Sequence, residues 1–251
     1  MTEKYWLLKC CRLFEHLAGE QLGRLERCSR VRTFARGSPI YLPADEANGV
    51  LVLASGRAKI CGFSADGKQA ILAFVEPGEL FGELALFEQG PREEYAEAVE
   101  ASKVVLIPGD DLQRLMEESP GLSLGITRLI GLRRRRIERR LKYLLFRSNR
   151  DRLVNLLLEL AEQYGTRKPE GLLLDIRLSH QDLASIIGAT RETVTVILGE
   201  LQAEGCLKLG RRRIVLIQPE RLAAGVEAPV PRPAGIKPLP ARDAKALPRI
   251  L

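Results

Sequence analysis

A chain of 251 residues with 45% hydrophobic residues is long enough for one large or two small domains and can bury a real core. No apolar run is long enough to cross a bilayer, the start MTEKYWLLKCCRLFEHL is too polar after its first turn for a secretory leader, and five cysteines in so long a chain argue against a disulfide framework; a cytoplasmic protein without a membrane partner is expected. The net charge of +7 is uneven, with an acidic excess over residues 1–127 and eleven bases against two acids over 128–152, so only part of the molecule is suited to face a polyanion, nucleic acid before acidic lipid.

Residues 5–29 read as one or two short helices, with Leu7, Leu8, Leu13, Phe14, Leu17, Leu22 and Leu25 at helical spacing. From Val31 to Ile107 the texture becomes β-type. Runs such as VLVLASG, RAKICGF, AILAFV and KVVLIP are separated by glycine and proline turns, and the Asp-Gly of SADGKQ (64–69) marks a hairpin. Short strands without intervening helices predict an antiparallel sandwich or barrel. Asp110 and Asp111 open a short helix that Pro120 interrupts, and a long helix follows from Gly121. Along it Thr127, Ile130, Arg134, Ile137, Leu141 and Leu144 alternate at three and four residues, a coiled-coil seam that calls for a second copy of the chain. Leu122 and Leu129 lie on another face and are expected to pack on the chain's own strands. The arginines of RRRR (133–136) and RR (139–140) are expected to point into solvent or toward the acidic first domain.

RSNRD (147–151) breaks the long helix, and Ser148 or Asn149 caps the next, which ends near Gly165. GTRKPEG then reads as a polar loop before a short LLLDI strand. The most informative segment is LSHQDLASIIGATRETVTVILGELQAEGCLKLGRRRIVLI, 178–217. Ser179-x-x-Asp182 starts a helix whose inner face is Leu183, Ile186 and Ile187. Gly188-Ala189-Thr190 is a tight turn. A second helix follows with Val194, Leu198 and Leu201 inward and Gly205 as its stop. Two short helices on a three-residue glycine turn form a helix-turn-helix, whose second helix presents its first residues to base edges. Here these are Arg191, Glu192 and Thr195; arginine grips guanine through two hydrogen bonds, and glutamate accepts from a cytosine amine. The hairpin LKLGRRRIVLI is then a wing, with Arg211, Arg212 and Arg213 near phosphates. Ser179, His180, Gln181 and Thr190 flank this face, and His180 is placed near phosphate.

In this order the segments resemble the cyclic-AMP receptor protein / fumarate-nitrate reduction regulator (CRP/FNR) family, over about residues 10–222. LFGELALFEQG looks like its phosphate-binding cassette, LVLASGRAKI like its Ser-Gly hairpin and GATRETVTVIL like its recognition helix. The resemblance implies an α+β chain. An antiparallel β-roll sensor would span 1–120, a dimerisation helix 121–147 and a winged helix-turn-helix 148–225; independently of the resemblance, 226–251 carries six prolines and no apolar periodicity and reads as a disordered tail. The resemblance also implies a homodimer that binds double-stranded DNA at a two-fold symmetric site and contacts RNA polymerase, with loop 164–171 as the candidate contact. Arg191 and Glu192 match the readers of a TGTGA-type half-site. Val196 stands where an arginine is common, so preference at that base pair should be altered.

The cassette keeps Gly82, Glu83 and Leu84. Where cyclic-AMP binders carry Arg-Ser/Thr, this chain has Glu93-Glu94, or Glu94-Tyr95 if the loop is one residue longer; Arg92 is out of register, and Ile137 falls near the adenine-facing position of the long helix. Carboxylates beside a phosphate are unfavourable, so a signal other than cyclic AMP is expected. The acids are assigned instead to Arg133–Arg136. Cys10, Cys11, Cys28 and Cys61 are candidate ligands of an iron–sulfur cluster, though their spacing departs from the oxygen-sensing branch, and His16 is a candidate haem ligand. Buried cysteine is also an ordinary core residue. Two other classes compete with an effector-sensing regulator. A cupin-like enzyme needs a histidine cluster on the strands, and residues 31–107 hold no histidine. A DNA-bound dimer that needs no effector fits the degenerate cassette.

Overall fold

The apolar run GVLVLAS is too continuous for a strand with one wet face, and it becomes the centre of the first unit. The computed structural model describes residues 3–87, 90–210 and 213–233. The chain divides into two compact units at Leu141/Lys142.

The first unit begins with α1 (Glu3–Lys9), a 3-10 turn at Arg12–Phe14 and α2 (Gly19–Cys28). Eight strands follow: β1 (Arg30–Phe34), β2 (Pro39–Tyr41), β3 (Gly49–Ser55), β4 (Ala58–Phe63), β5 (Gln69–Val75), β6 (Leu80–Phe81), β7 (Tyr95–Ala98) and β8 (Ser102–Pro108). They form two antiparallel sheets, β1-β8-β3-β6 and β2-β7-β4-β5. The expected hairpin joins β4 to β5 through Gly67. Then come α3 (Gly109–Glu118) and α4 (Pro120–Phe146).

Strand alternation sorts the core into two layers. Leu51 and Leu53 of β3 and Val104 of β8 join Ile60, Val75, Phe81 and Ala96 between the sheets. Their neighbours Val50, Val52, Val105 and Ile107 face Leu8, Phe14, Leu22, Leu25, Leu112 and Leu115 of the helical cover. The N-terminal helices therefore seal the outer face of the first sheet. Leu122 and Ile126 of α4 are buried in this layer and Ile130 packs against it. The intramolecular stripe is therefore 122, 126 and 130: Ile130, expected on the seam, packs against this layer while staying half-buried, as Leu129 does. Beyond it the apolar side chains of α4 are open to water, with Ile137 57%, Leu141 53% and Leu144 42% exposed.

The second unit contains α5 (Asn149–Tyr164), β9 (Gly165–Lys168), β10 (Gly171–Leu174), α6 (His180–Ile187), α7 (Arg191–Ala203), β11 (Leu207–Gly210), β12 (Arg213–Leu216) and α8 (Pro219–Gly225). Ser148 caps α5 by accepting from the Asp151 amide at 3.1 Å. The stretch read as a polar loop is in part a strand: β9 pairs with β10 from Gly165↔Leu174 to Lys168↔Gly171, in the sheet β11-β12-β10-β9. Its polar side chains hid it, because an edge strand with exposed faces carries no apolar alternation. Leu153 and Leu157 of α5, Leu183 of α6 and Val194, Leu198 and Leu201 of α7 are fully buried. Among the described residues no helix is long and apolar enough to cross a membrane. The part of the tail beyond residue 233 lies outside the described residues.

Candidate nucleic-acid interface and sensor cup

The helix-turn-helix is built by three local devices. Ser179 accepts from the Asp182 amide at 3.1 Å, and the Asp182 carboxylate accepts from the Ser179 amide at 2.8 Å, closing the capping box. Gly188 then turns at φ 68°, a left-handed conformation that suits glycine, and ends α6. Thr190 caps α7 by accepting from the Thr193 amide at 3.2 Å. Because Val194, Ile197, Leu198 and Leu201 face inward, helical period leaves Arg191, Glu192, Thr195 and Val196 on the outer face, and all four are exposed.

A side-chain tie fixes this face. The Thr195 hydroxyl donates to the Arg191 carbonyl at 2.9 Å and lies 2.8 Å from His180 Nδ1. With its proton used on the carbonyl, the hydroxyl accepts from His180, so Nδ1 carries the hydrogen and Nε2 faces outward from this bond. His180 thus joins the first turns of α6 and α7. At the other end of α7, Arg150 of α5 donates to Glu200 at 3.2 Å and Glu204 at 2.7 Å. Of the remaining residues expected here, Ser179 and Gln181 are exposed on the first turn of α6, and Arg213 is exposed where β12 leaves the hairpin. Arg211 and Arg212 lie outside the described residues.

The sequence-predicted cup is also present. A cavity of about 220 Å³ is lined by Tyr41, Gly82, Leu84, Pro91, Arg92, Glu93 and Glu94, among others. Arg92, which is out of register in the sequence, is turned inward. Its Nη2 donates to the Gly49 carbonyl at 2.6 Å, and its guanidinium lies over the Tyr41 ring at 4.3 Å from the centroid. A Cβ on Gly82 would meet Arg92 Nη1 at 2.6 Å, so the cassette glycine, at φ 68°, is what lets the guanidinium in. Tyr41 in turn donates to Glu94 at 3.3 Å. Burial, and then the nearby Glu83, push the Glu94 carboxyl above the usual range, while Tyr41, Arg133 and Arg92 oppose that shift. Burial and the Glu94 carboxylate push the Tyr41 phenol up, and burial lowers Arg92.

Not every expectation for this region holds. The pairing of the cassette acids with the arginines of α4 is met in part: Arg133 pairs with Glu83 and donates to the Leu80 carbonyl at 2.5 Å, while Arg134 pairs with Glu138 of its own helix at 2.7 Å. Arg140 donates to the Leu72 carbonyl, midway along β5, at 2.6 Å, so with Arg133 part of the arginine run turns toward the first domain, one of the two placements expected. Tyr95 and Ile137 do not line the cup; Tyr95 donates to Glu97 at 3.1 Å and packs on Phe63, and Ile137 is on the open face of α4. Tyr41 and Gly49 were missed, since strand pairing across fifty residues brings them to the cassette and no local signal announces it.

The cysteines do not fit a cluster. Cys11 is buried in the helical layer, Cys61 is buried on β4, Cys10 is exposed and Cys28 bonds its own helix at the Leu25 carbonyl, 3.4 Å away. Among the described residues no three His, Cys, Asp or Glu side chains converge on a point that could hold a metal. Burial pushes the Cys11 thiol up to about 11, away from the thiolate that ligation requires. His16 is exposed after the 3-10 turn.

Residues 31–119 match the family model of the cyclic nucleotide-binding domain, and residues 151–224 that of the Crp-like helix-turn-helix domain. The cyclic AMP receptor protein of Thermus thermophilus is 32% identical, over 79% of this chain and 88% of its own. The global nitrogen regulator of Synechococcus elongatus is 30% identical, over 81% of this chain and 92% of its own. The chain belongs to the CRP/FNR family. Within that family, the solved structure of the c-di-GMP responsive global regulator CLP of Xanthomonas campestris superposes with a TM-score of 0.72 at 26% identity, covering 79% of this chain and 99% of that one. The CRP/FNR relatives are DNA-binding transcription regulators and not enzymes. The expected architecture of β-roll, long helix and helix-turn-helix is that of the family.

Proposed function

We propose that the protein is a homodimeric, sequence-specific transcription regulator that binds a palindromic TGTGA-like promoter site and answers a signal other than cyclic AMP. The observation that carries this reading is the outer face of α7, where Arg191, Glu192, Thr195 and Val196 stand exposed on a helix start fixed by Thr190 and His180. Arg191 and Glu192 read the guanine and cytosine of each half-site, Val196 offers a methyl surface to thymine, and Ser179, His180, Gln181 and Arg213 approach phosphates. Arg211 and Arg212 are assigned to the same wing on sequence alone. Dimerisation is supported by the exposed Ile137, Leu141 and Leu144 of α4, an apolar stripe that a second copy covers. RNA polymerase is assigned to the β9–β10 hairpin by family resemblance.

The Thermus relative is named a cyclic AMP receptor, but this chain presents Glu93 and Glu94 where a phosphate needs a free cation. Arg92, the cation within the cup, is already held by Gly49 and Tyr41. That occupancy also favours a second reading, in which the dimer binds DNA without any effector. Fluorescence anisotropy on duplexes with inverted TGTGA half-sites tests the proposal. Losing a bidentate arginine costs about 1–3 kcal/mol per half-site, so Arg191→Ala in a dimer should weaken binding at least about 30-fold. Equal affinity of variant and wild type would sink the readout, and a gain on adding cyclic AMP would sink the signal assignment.

A further inference from the structure

One guanidinium in the second unit makes contacts that its own helix does not explain. Arg152 is in the first turn of α5, where the helix dipole disfavours a cation. Its side chain leaves α5. Nε donates to the carbonyls of Tyr143 at 3.2 Å and Arg147 at 3.0 Å, and Nη2 donates to the Leu144 carbonyl at 2.7 Å. Tyr143 and Leu144 are in the last turn of α4, the negative end of that helix's dipole, and Arg147 follows directly after it. Nη1 donates to Asn149 Oδ1 at 3.3 Å and to the carbonyl of Ile187 at 3.4 Å. Ile187 is the last residue of α6, directly before the Gly188 turn. The same turn is touched from the apolar side, because a Cβ on Gly188 would meet Leu144 Cδ2 at 3.0 Å. The C-terminal ends of α4 and α6 therefore converge on one side chain.

We infer that Arg152 is a positioning residue that latches the last turn of α4 to the turn of the helix-turn-helix, and so sets where α7 is presented. The inference rests on the reading of α7 as the DNA-facing helix, but the latch itself is a property of the free protein. A planar fork is what the site requires. Lysine offers a single ammonium on a flexible stem and cannot reach carbonyls on two helices at once with fixed geometry. Any displacement of the end of α4 passes through this contact to the residues that precede Arg191. Leu144 takes part twice, since it lies on the exposed stripe of α4 and also against Gly188.

The test needs no DNA. In the full-length chain, genetically encoded spin-label residues replace Lys142 on α4 and Gln202 on α7, both exposed. Labelled protein is diluted in unlabelled protein so that only the intrachain distance is read by pulsed electron paramagnetic resonance. Arg152→Lys should broaden and shift the distance distribution, and Arg152→Ala should do so further, with helicity by circular dichroism unchanged. A distribution as narrow and centred as wild type in both variants overturns the latch. Failure of the wild type to bind any TGTGA duplex would count against the readout of Arg191 and Glu192 and would leave these distances unaffected.

Discussion

Replacing Arg92 by alanine asks whether the chain's own guanidinium holds the cup together. The side chain makes a charged hydrogen bond to the Gly49 carbonyl at 2.6 Å, a class worth about 1.5–3 kcal/mol. It also stacks on Tyr41 at 4.3 Å, worth about 0.5–2 kcal/mol. Against these stands the desolvation of the guanidinium, the burial that lowers its pKa. The balance is a net loss of about 1–3 kcal/mol, since charged contacts and desolvation partly cancel. For a folding unit of this size that corresponds to roughly 3–10 °C in Tm. Thermal unfolding followed by circular dichroism gives the total, and a double-mutant cycle with Tyr41→Leu isolates the stacking contribution. A Tm within about 1 °C of wild type, far less than the smallest loss expected here, would refute the reasoning, as would a cycle with no coupling between the two residues.

Two further outcomes follow from the same geometry. The Glu94 carboxyl is raised in the folded state, so its contribution to stability is complete below the ordinary glutamate range and is lost as pH rises through the elevated value. Glu94→Gln should therefore stabilise the protein at neutral pH and flatten that part of the stability–pH curve; a steeper curve, or destabilisation at pH 7, would contradict it. Leu141→Glu places a charge on the exposed stripe of α4 without touching the buried Leu122 and Ile126. Sedimentation should show monomer while the Tm of the chain falls only by the part of its stability owed to association, and an intact dimer would place the interface elsewhere.

Where the physics was local, the sequence was sufficient. The capping box at Ser179–Asp182 and the Gly188 turn lie within a few residues of their partners, and both appear as read, with Thr190 of that turn also capping α7. The Asp-Gly hairpin and the doubly buried run of β3 follow from the same short-range rules. β9 was missed because its exposed polar faces carry no alternation. Ile130 was placed on the seam because a 3-4 repeat cannot say which of two apolar stripes meets the chain's own core.

The sequence by itself determined the order of roll, long helix and helix-turn-helix and the outward face of α7. Only the tertiary structure decided what fills the cup. Arg92 is out of register when residues are counted along the chain, yet the backbone of Gly82 and the pairing of distant strands put Gly49 and Tyr41 under its guanidinium. The same holds for Arg152, whose acceptors come from the ends of two other helices. A side chain's charge is written in its residue type, but its partner depends on how separate elements pack, and packing minimises free energy over the whole domain.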